Sequence, residues 1–146
     1  MGCGPLRHPR SRRALVLADT SAWVEFLRAT GSPVHSAVRR LIEEESLATT
    51  EVVVMEILAG ARDRRHLVAL RRLMLSCRLV PLEGLIDYEA AAALHRLCRA
   101  RGETVRALTD CLIAAVAIRA DLAVLHADSD FDAIARHTDL ELAVIA

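Results

Sequence analysis

Asp19, Glu56, Asp110, Asp128 and Asp130 are the side chains of this 146-residue sequence whose surroundings suit them best for chemistry. Asp19 ends the apolar run Leu15 to Ala18, and Asp128 comes just after the run Leu122 to Leu125. Asp110 opens the most apolar stretch of the chain, and Glu56 is set among Val54, Met55, Ile57 and Leu58, where an unpaired carboxylate is costly. Taken singly, an Asp at a strand-to-helix turn also reads as a helix N-cap worth about 0.5–2 kcal/mol, and Asp130 before Phe131 to Arg136 fits that reading best. Taken together they read differently. Two carboxylates about 4 Å apart repel by about 4 kcal/mol at an effective dielectric of 20, so a group of them needs an Arg or a divalent cation. Oxygen ligands without a suitably spaced His or Cys favour Mg²⁺ or Mn²⁺. A hard cation held in this way polarises a phosphoryl oxygen and acidifies bound water, which is the chemistry of phosphodiester hydrolysis.

Composition narrows the field. The length suits one domain, and 53% hydrophobic residues supply a sizeable core. Nineteen basic and 19 acidic residues cancel, so a polyanionic partner must be met by a local patch. Every basic residue is Arg, which removes P-loop lysines, Schiff-base lysines and the enzyme classes built on them. Cys3, Cys77, Cys98 and Cys111 show no CxxC spacing and read as reduced thiols of a cytoplasmic protein. The Arg-rich residues 1–13 carry no apolar periodicity and are expected to form a disordered basic tail, with the folded domain over 14–146. The apolar run after them stops at Asp19, too short for a secretory h-region, and no run is long enough to span a membrane.

The elements that must position the acids follow from periodicity. Leu15 to Ala18 is a core strand, and Asp19 stands at its carboxyl end, where ligands collect in open α/β sheets. Trp23, Phe26 and Leu27 predict a short helix capped by Thr20 or Ser21; the two aromatics read as core rather than as base-stacking platforms. Ser32-Pro33 starts a second helix with Val34, Val38, Leu41 and Ile42 inward, followed by a strand at Leu47 to Thr49. Thr50 to Gly60 is ambiguous because of Val52-Val53-Val54, and reads as a helix carrying Glu56. Asp63 caps a helix to Ser76 with Leu67, Leu70, Leu73 and Met74 inward. Leu79 to Leu82 is an edge strand, and Asp87 opens a helix with Tyr88, Ala91, Leu94, His95 and Cys98 on one side. Thr109 caps the helix Asp110 to Arg119, Leu122 to Leu125 is a second core strand, and Leu140 to Ile145 is a last strand. This alternation predicts a single-domain α/β fold with a mainly parallel central sheet.

At this level the residues resemble a known family. Asp19-Thr20-Ser21-Ala22-Trp23, Val54-Met55-Glu56-Ile57-Leu58-Ala59-Gly60, Thr109-Asp110-Cys111-Leu112-Ile113-Ala114 and Leu125 to Ala135 are similar to the successive blocks of the PIN domain, more narrowly of VapC-type toxins of bacterial toxin–antitoxin pairs. The resemblance runs from Leu15 to Ile145. It implies an α/β/α sandwich, an Mg²⁺-dependent endoribonuclease site, a homodimer, and a VapB-type antitoxin that covers the site. Matched position by position, Asp19, Glu56, Asp110 and Asp128 are the family's acids and Asp130 a further acid near the metal. Asp19 and Asp110 are then the firmest ligands, joined by Asp128 and Asp130, while Glu56 ligates or orients the attacking water. Thr20 and Thr109 match hydroxyl residues that support the site. Arg62, Arg64, Arg65 and Arg106 are candidates for guiding the RNA backbone, although Arg on a helix face is commonly solvated surface. His95 and His126 read as structural histidines.

Rival readings fare less well. A haloacid-dehalogenase-type phosphatase needs a second Asp two residues after the first and a Lys, whereas position 21 is Ser and Lys is absent. A receiver-like module meets the same Lys objection. A PIN-fold nuclease with a housekeeping role in RNA processing and a catalytically silent antitoxin-binding scaffold both keep the fold; the retained acids weigh against the second.

Overall fold

The computed structural model describes residues 14–145. The basic-tail expectation for residues 1–13 lies outside the described residues. Four short parallel strands, β1 (Val16–Ala18), β2 (Leu47–Thr49), β3 (Arg78–Leu79) and β4 (Ala123–Leu125), form one sheet in the order β3-β2-β1-β4. Seven helices flank it: α1 (Thr20–Leu27), α2 (Pro33–Glu43), α3 (Glu51–Ala59), α4 (Arg64–Leu75), α5 (Leu85–Ala100), α6 (Leu108–Ala120) and α7 (Ser129–His137). The chain moves outward from β1 through β2 to β3, then crosses back to β4. Right-handed crossovers therefore assign α1–α4 to one face and α5–α6 to the other, the expected α/β/α sandwich. The order reverses at β1 and β4, so a crevice opens beyond their carboxyl ends.

Burial falls from the centre of the sheet to its β3 edge. Leu17, Ala18, Val124 and Leu125 are essentially inaccessible, whereas edge strand β3 is exposed throughout. Helix α6 is buried continuously from Asp110 to Ala117 and packs most heavily on α5, as a helix apolar on all sides must. The ambiguous segment resolves as helix α3: Val52, Val53 and Ile57 are buried while Met55 is 59% exposed, a helical and not an alternating pattern.

Several local expectations are corrected. The cap of α1 is Asp19, whose Oδ2 accepts the Ser21 N–H at 2.9 Å; it is neither Thr20 nor Ser21. Asp128, not Asp130, caps α7, its Oδ1 accepting the Asp130 N–H at 3.0 Å. Helix α6 starts at Leu108 after Ala107 without a side-chain cap, so Thr109 lies inside its first turn. Helix α5 starts at Leu85 after Gly84, whose φ of 60° suits a residue without Cβ. That start places Asp87, Ala91, Leu94 and Cys98 on the inward stripe and leaves Tyr88 54% exposed. Leu67 is likewise 38% exposed. Strand β3 ends before Pro81, and the last strand reduces to one bridge, Val124 to Leu142. Among the described residues Cys77, Cys98 and Cys111 are free thiols, and no helix is long and apolar enough to cross a membrane.

Candidate metal centre and active site

The acid site is assembled at the switch point of the sheet. The Asp19 N–H donates to Leu125 O at 2.9 Å, which fixes the end of β1 against the end of β4. Ser21 strengthens the joint: its hydroxyl donates to Asp19 Oδ2 at 2.6 Å and accepts the Ala127 N–H at 2.9 Å. One hydroxyl thus ties the first acid to the loop that carries Asp128. The joining role of Ser21 has one sequence signal, its spacing of two residues after the Asp, which marks a local side-chain turn.

Carboxylates from three further elements join Asp19. Asp110 comes from the first turn of α6, Asp128 and Asp130 from the start of α7, and Glu56 from α3. Asp110, Asp128 and Asp130 each offer an oxygen within 4.8 Å of the others. Asp19 lies outside that tightest set, yet its charge is the neighbour that raises Asp110 most. Glu56 accepts a hydrogen bond from the Thr20 hydroxyl at 3.0 Å and feels the charge of Asp19. The first turn of α1 is thereby tied to α3 through Thr20. The Thr109 hydroxyl makes no hydrogen bond among the described residues.

Burial and mutual repulsion both disfavour full ionisation here. Burial first, then the charges of Asp19, Asp128, Asp130 and Glu56, push Asp110 up to about 7. Burial also raises Asp19, against the opposing hydrogen bonds from Ser21, and raises Glu56. An ionised pair 4.8 Å apart carries about 3 kcal/mol of repulsion at an effective dielectric of 20. The group nevertheless fits a divalent ion. Asp19 is 3% exposed, and its Oδ1 is the only carboxylate oxygen among the buried side-chain atoms that lack a hydrogen-bond partner, in the described residues. A hard cation supplies what that oxygen lacks, and the donor set is all oxygen.

The basic candidates separate. Arg106 reaches the acids: its Nη2 donates to Asp128 Oδ1 at 3.2 Å, and its Nε and backbone N donate to Asp130 Oδ2 at 3.3 and 3.1 Å. Arg62, Arg64 and Arg65 are exposed around the start of α4 and form no bond to the cluster. His126 packs against Phe131, accepts the Asp128 N–H at Nδ1 and lies 3.4 Å from Asp132, which holds the loop after β4 in place. Trp23 is fully buried in the core and meets edge-on Phe26, which is half-buried and packs against that core. The cleft of about 490 Å³ lined by Leu15, Leu41, Leu47 and Cys77 includes none of the five acids.

Residues 16–137 match the family profile described as PIN domain. The chain belongs to the PIN-domain family. It is 48% identical over 131 residues to Ribonuclease VapC11 of Mycobacterium tuberculosis, covering 88% of this chain and 98% of that protein. Ribonuclease VapC51 of the same species is 33% identical over 124 residues, covering 84% and 86% of the two chains. In fold, the PIN domain here resembles VapBC2 from Rickettsia felis bound to a promoter DNA fragment, with a TM-score of 0.69 at 16% identity, covering 88% of this chain and 97% of that one.

Proposed function

We propose that this PIN domain is the toxin of a toxin–antitoxin pair, an endoribonuclease that hydrolyses RNA phosphodiester bonds with a divalent metal. One structural observation carries the reading: Asp110, Asp128 and Asp130 offer oxygens within 4.8 Å of one another, Asp110 feels the charges of Asp19 and Glu56 as well, and Asp19 Oδ1 is buried without a partner. The 48% identity to a ribonuclease along nearly its whole length supports it. Asp19, Asp110, Asp128 and Asp130 are the residues suited to hold the metal, and Mg²⁺, with Mn²⁺ as substitute, suits their oxygen donors. The ion supplies charge stabilisation at the phosphoryl oxygen and a more acidic bound water.

The remaining roles belong to the chain itself. Glu56, held by Thr20, orients the attacking water and accepts its proton, for which its raised proton affinity suits it. Ser21 keeps Asp19 and the Asp128 loop in register. Arg106 at the cluster, with Arg62, Arg64 and Arg65 beside α4, meets the RNA backbone. A VapB-type antitoxin covers the site, and the working state is a cytoplasmic homodimer. A second copy is supported by the apolar groove lined by Ile86, Ala90, Ala93, Leu94, Ala115 and Ile118, with Leu85 and Ile86 70% and 65% exposed.

The test pairs chemistry with biology. The purified protein should cleave RNA in Mg²⁺, lose cleavage in EDTA and regain it with Mn²⁺, while its induced synthesis halts growth unless a VapB-type antitoxin is co-expressed. Cleavage insensitive to EDTA, or retained by Asp19→Asn, would overturn the metal mechanism. Cleavage without growth arrest would favour a housekeeping nuclease.

A further inference from the structure

Arg106 holds the acids in an unusual way. Its side chain is 73% exposed, so the guanidinium lies over the cluster from the solvent side. Nη2 takes Asp128 Oδ1 and Nε takes Asp130 Oδ2, one oxygen from each of two acids in the 4.8 Å set with Asp110. The backbone behind it is pinned separately. The Arg106 N–H bonds Asp130 at 3.1 Å, Val105 is 2% exposed, and Glu103 pairs with Arg136 and His137 of α7. The loop is therefore anchored up to Arg106, and α6 begins two residues later, so the exposed side chain can leave the acids without the backbone moving. A guanidinium and a divalent ion have the same claim on the charge of Asp128 and Asp130, and each raises the cost of placing the other.

We propose that Arg106 is a tethered cation that competes with the divalent metal: it occupies Asp128 and Asp130 when the metal is away and is released, free for an RNA phosphate, when the metal binds. This rests on the metal-site reading above and adds an order of events to it. Because the guanidinium is exposed, its hold is weak enough to be given up. Arg suits the role better than Lys, since its fork spans two carboxylates and later fits a phosphate.

The test is Mn²⁺ binding by isothermal titration calorimetry to the full chain without RNA, for the wild type, Arg106→Gln and Arg106→Lys. Gln keeps the backbone hydrogen bond to Asp130 and removes the guanidinium with its charge and its two side-chain bonds. Arg106→Gln should bind Mn²⁺ about 5-fold tighter, the equivalent of one exposed pair, with Arg106→Lys between it and the wild type. The gap should narrow as NaCl is raised, because the competing charge faces solvent. The same variant should show a higher KM for RNA, so metal affinity and RNA affinity move in opposite directions. Equal or weaker Mn²⁺ binding by Arg106→Gln would overturn the competition and make Arg106 a support for the ligands. Absence of saturable Mn²⁺ binding in all three proteins would overturn the metal site itself.

Discussion

Helix α6 places buried carboxylate chemistry at both of its ends, and the two ends solve the same problem in opposite ways. At its amino end Asp110 sits with Asp19, Asp128, Asp130 and Glu56, and burial with repulsion pushes it up to about 7. At its carboxyl end Arg119 closes on Asp87, which is 1% exposed. Nε and Nη2 of Arg119 donate to the two Asp87 oxygens at 2.9 Å each, Nη2 also to Pro81 O at 2.8 Å, and Nη1 to Glu83 at 3.2 Å. The Arg119 guanidinium, with the Glu83 N–H, holds the Asp87 carboxyl below its ordinary range. Both charges complement the helix dipole. One end is satisfied from within the chain; the other is left short of positive charge, which is how a site for an outside cation differs from a structural ion pair.

The comparison can be broken most sharply at the acid end. Asp110→Asn or Asp19→Asn should reduce RNA cleavage by about 1,000-fold or more, roughly 4 kcal/mol of lost transition-state stabilisation, without lowering the metal-free melting temperature. At the other end Arg119→Met should lower stability by about 3 kcal/mol in denaturant titration and leave cleavage per folded molecule intact, since it strands a buried carboxylate. If the two variants exchanged phenotypes, the division of labour would be wrong. Metal should act only on the amino end. At about 100 times its Kd it should raise wild-type stability by about 2.7 kcal/mol and stabilise Asp110→Asn far less.

Proton linkage sharpens the contrast by its sign. Asp110 is raised in the fold, so metal-free protein binds more protons folded than unfolded between 3.8 and about 7. Stability in EDTA should therefore fall as pH rises through that window, and Asp110→Asn should flatten the fall. Asp87 is lowered, so its contribution is present above its ordinary 3.8 and is lost as pH falls through the depressed value. Chemical denaturation in EDTA across pH, for Asp110→Asn and Asp87→Asn, separates the two slopes. The smallest effect expected is at Ser21, where Ser21→Ala should cost about 1 kcal/mol of stability and loosen the register of Asp19 against the Asp128 loop.

What the sequence made legible was local pattern ending in a carboxylate. Leu15 to Ala18 running into Asp19, and the all-apolar stretch after Asp110, declared strand, helix and acids together, and the parallel sheet followed. Partner choice at long range was not legible. Asp87 and Arg119 are 32 residues apart and nothing in either neighbourhood points to the other, so Asp87 was read as a helix start. Arg106 was placed among residues that meet RNA, and its bonds to Asp128 and Asp130 appear only once α7 packs beside its loop. Ser32 and Asp63 cap α2 and α4 as expected, whereas at α1 and α7 Asp, Ser and Thr all compete and backbone geometry decides among them; Asp19 at φ −68° and ψ 161° has the extended shape the cap requires. The Leu140 to Ile145 strand shrank to a bridge at Leu142, with Val144 left 88% exposed beyond it.

The central claim is that acids from three distant parts of the chain make one site for a hard cation, and anomalous diffraction from crystals grown with Mn²⁺ tests it directly. The account predicts a single cluster of anomalous density bounded by Asp19, Asp110, Asp128 and Asp130, at oxygen distances of about 2.0–2.2 Å, with Arg106 withdrawn from Asp128. Density elsewhere, or none among these carboxylates at saturating Mn²⁺ with Asp19 Oδ1 still unpartnered, would contradict it.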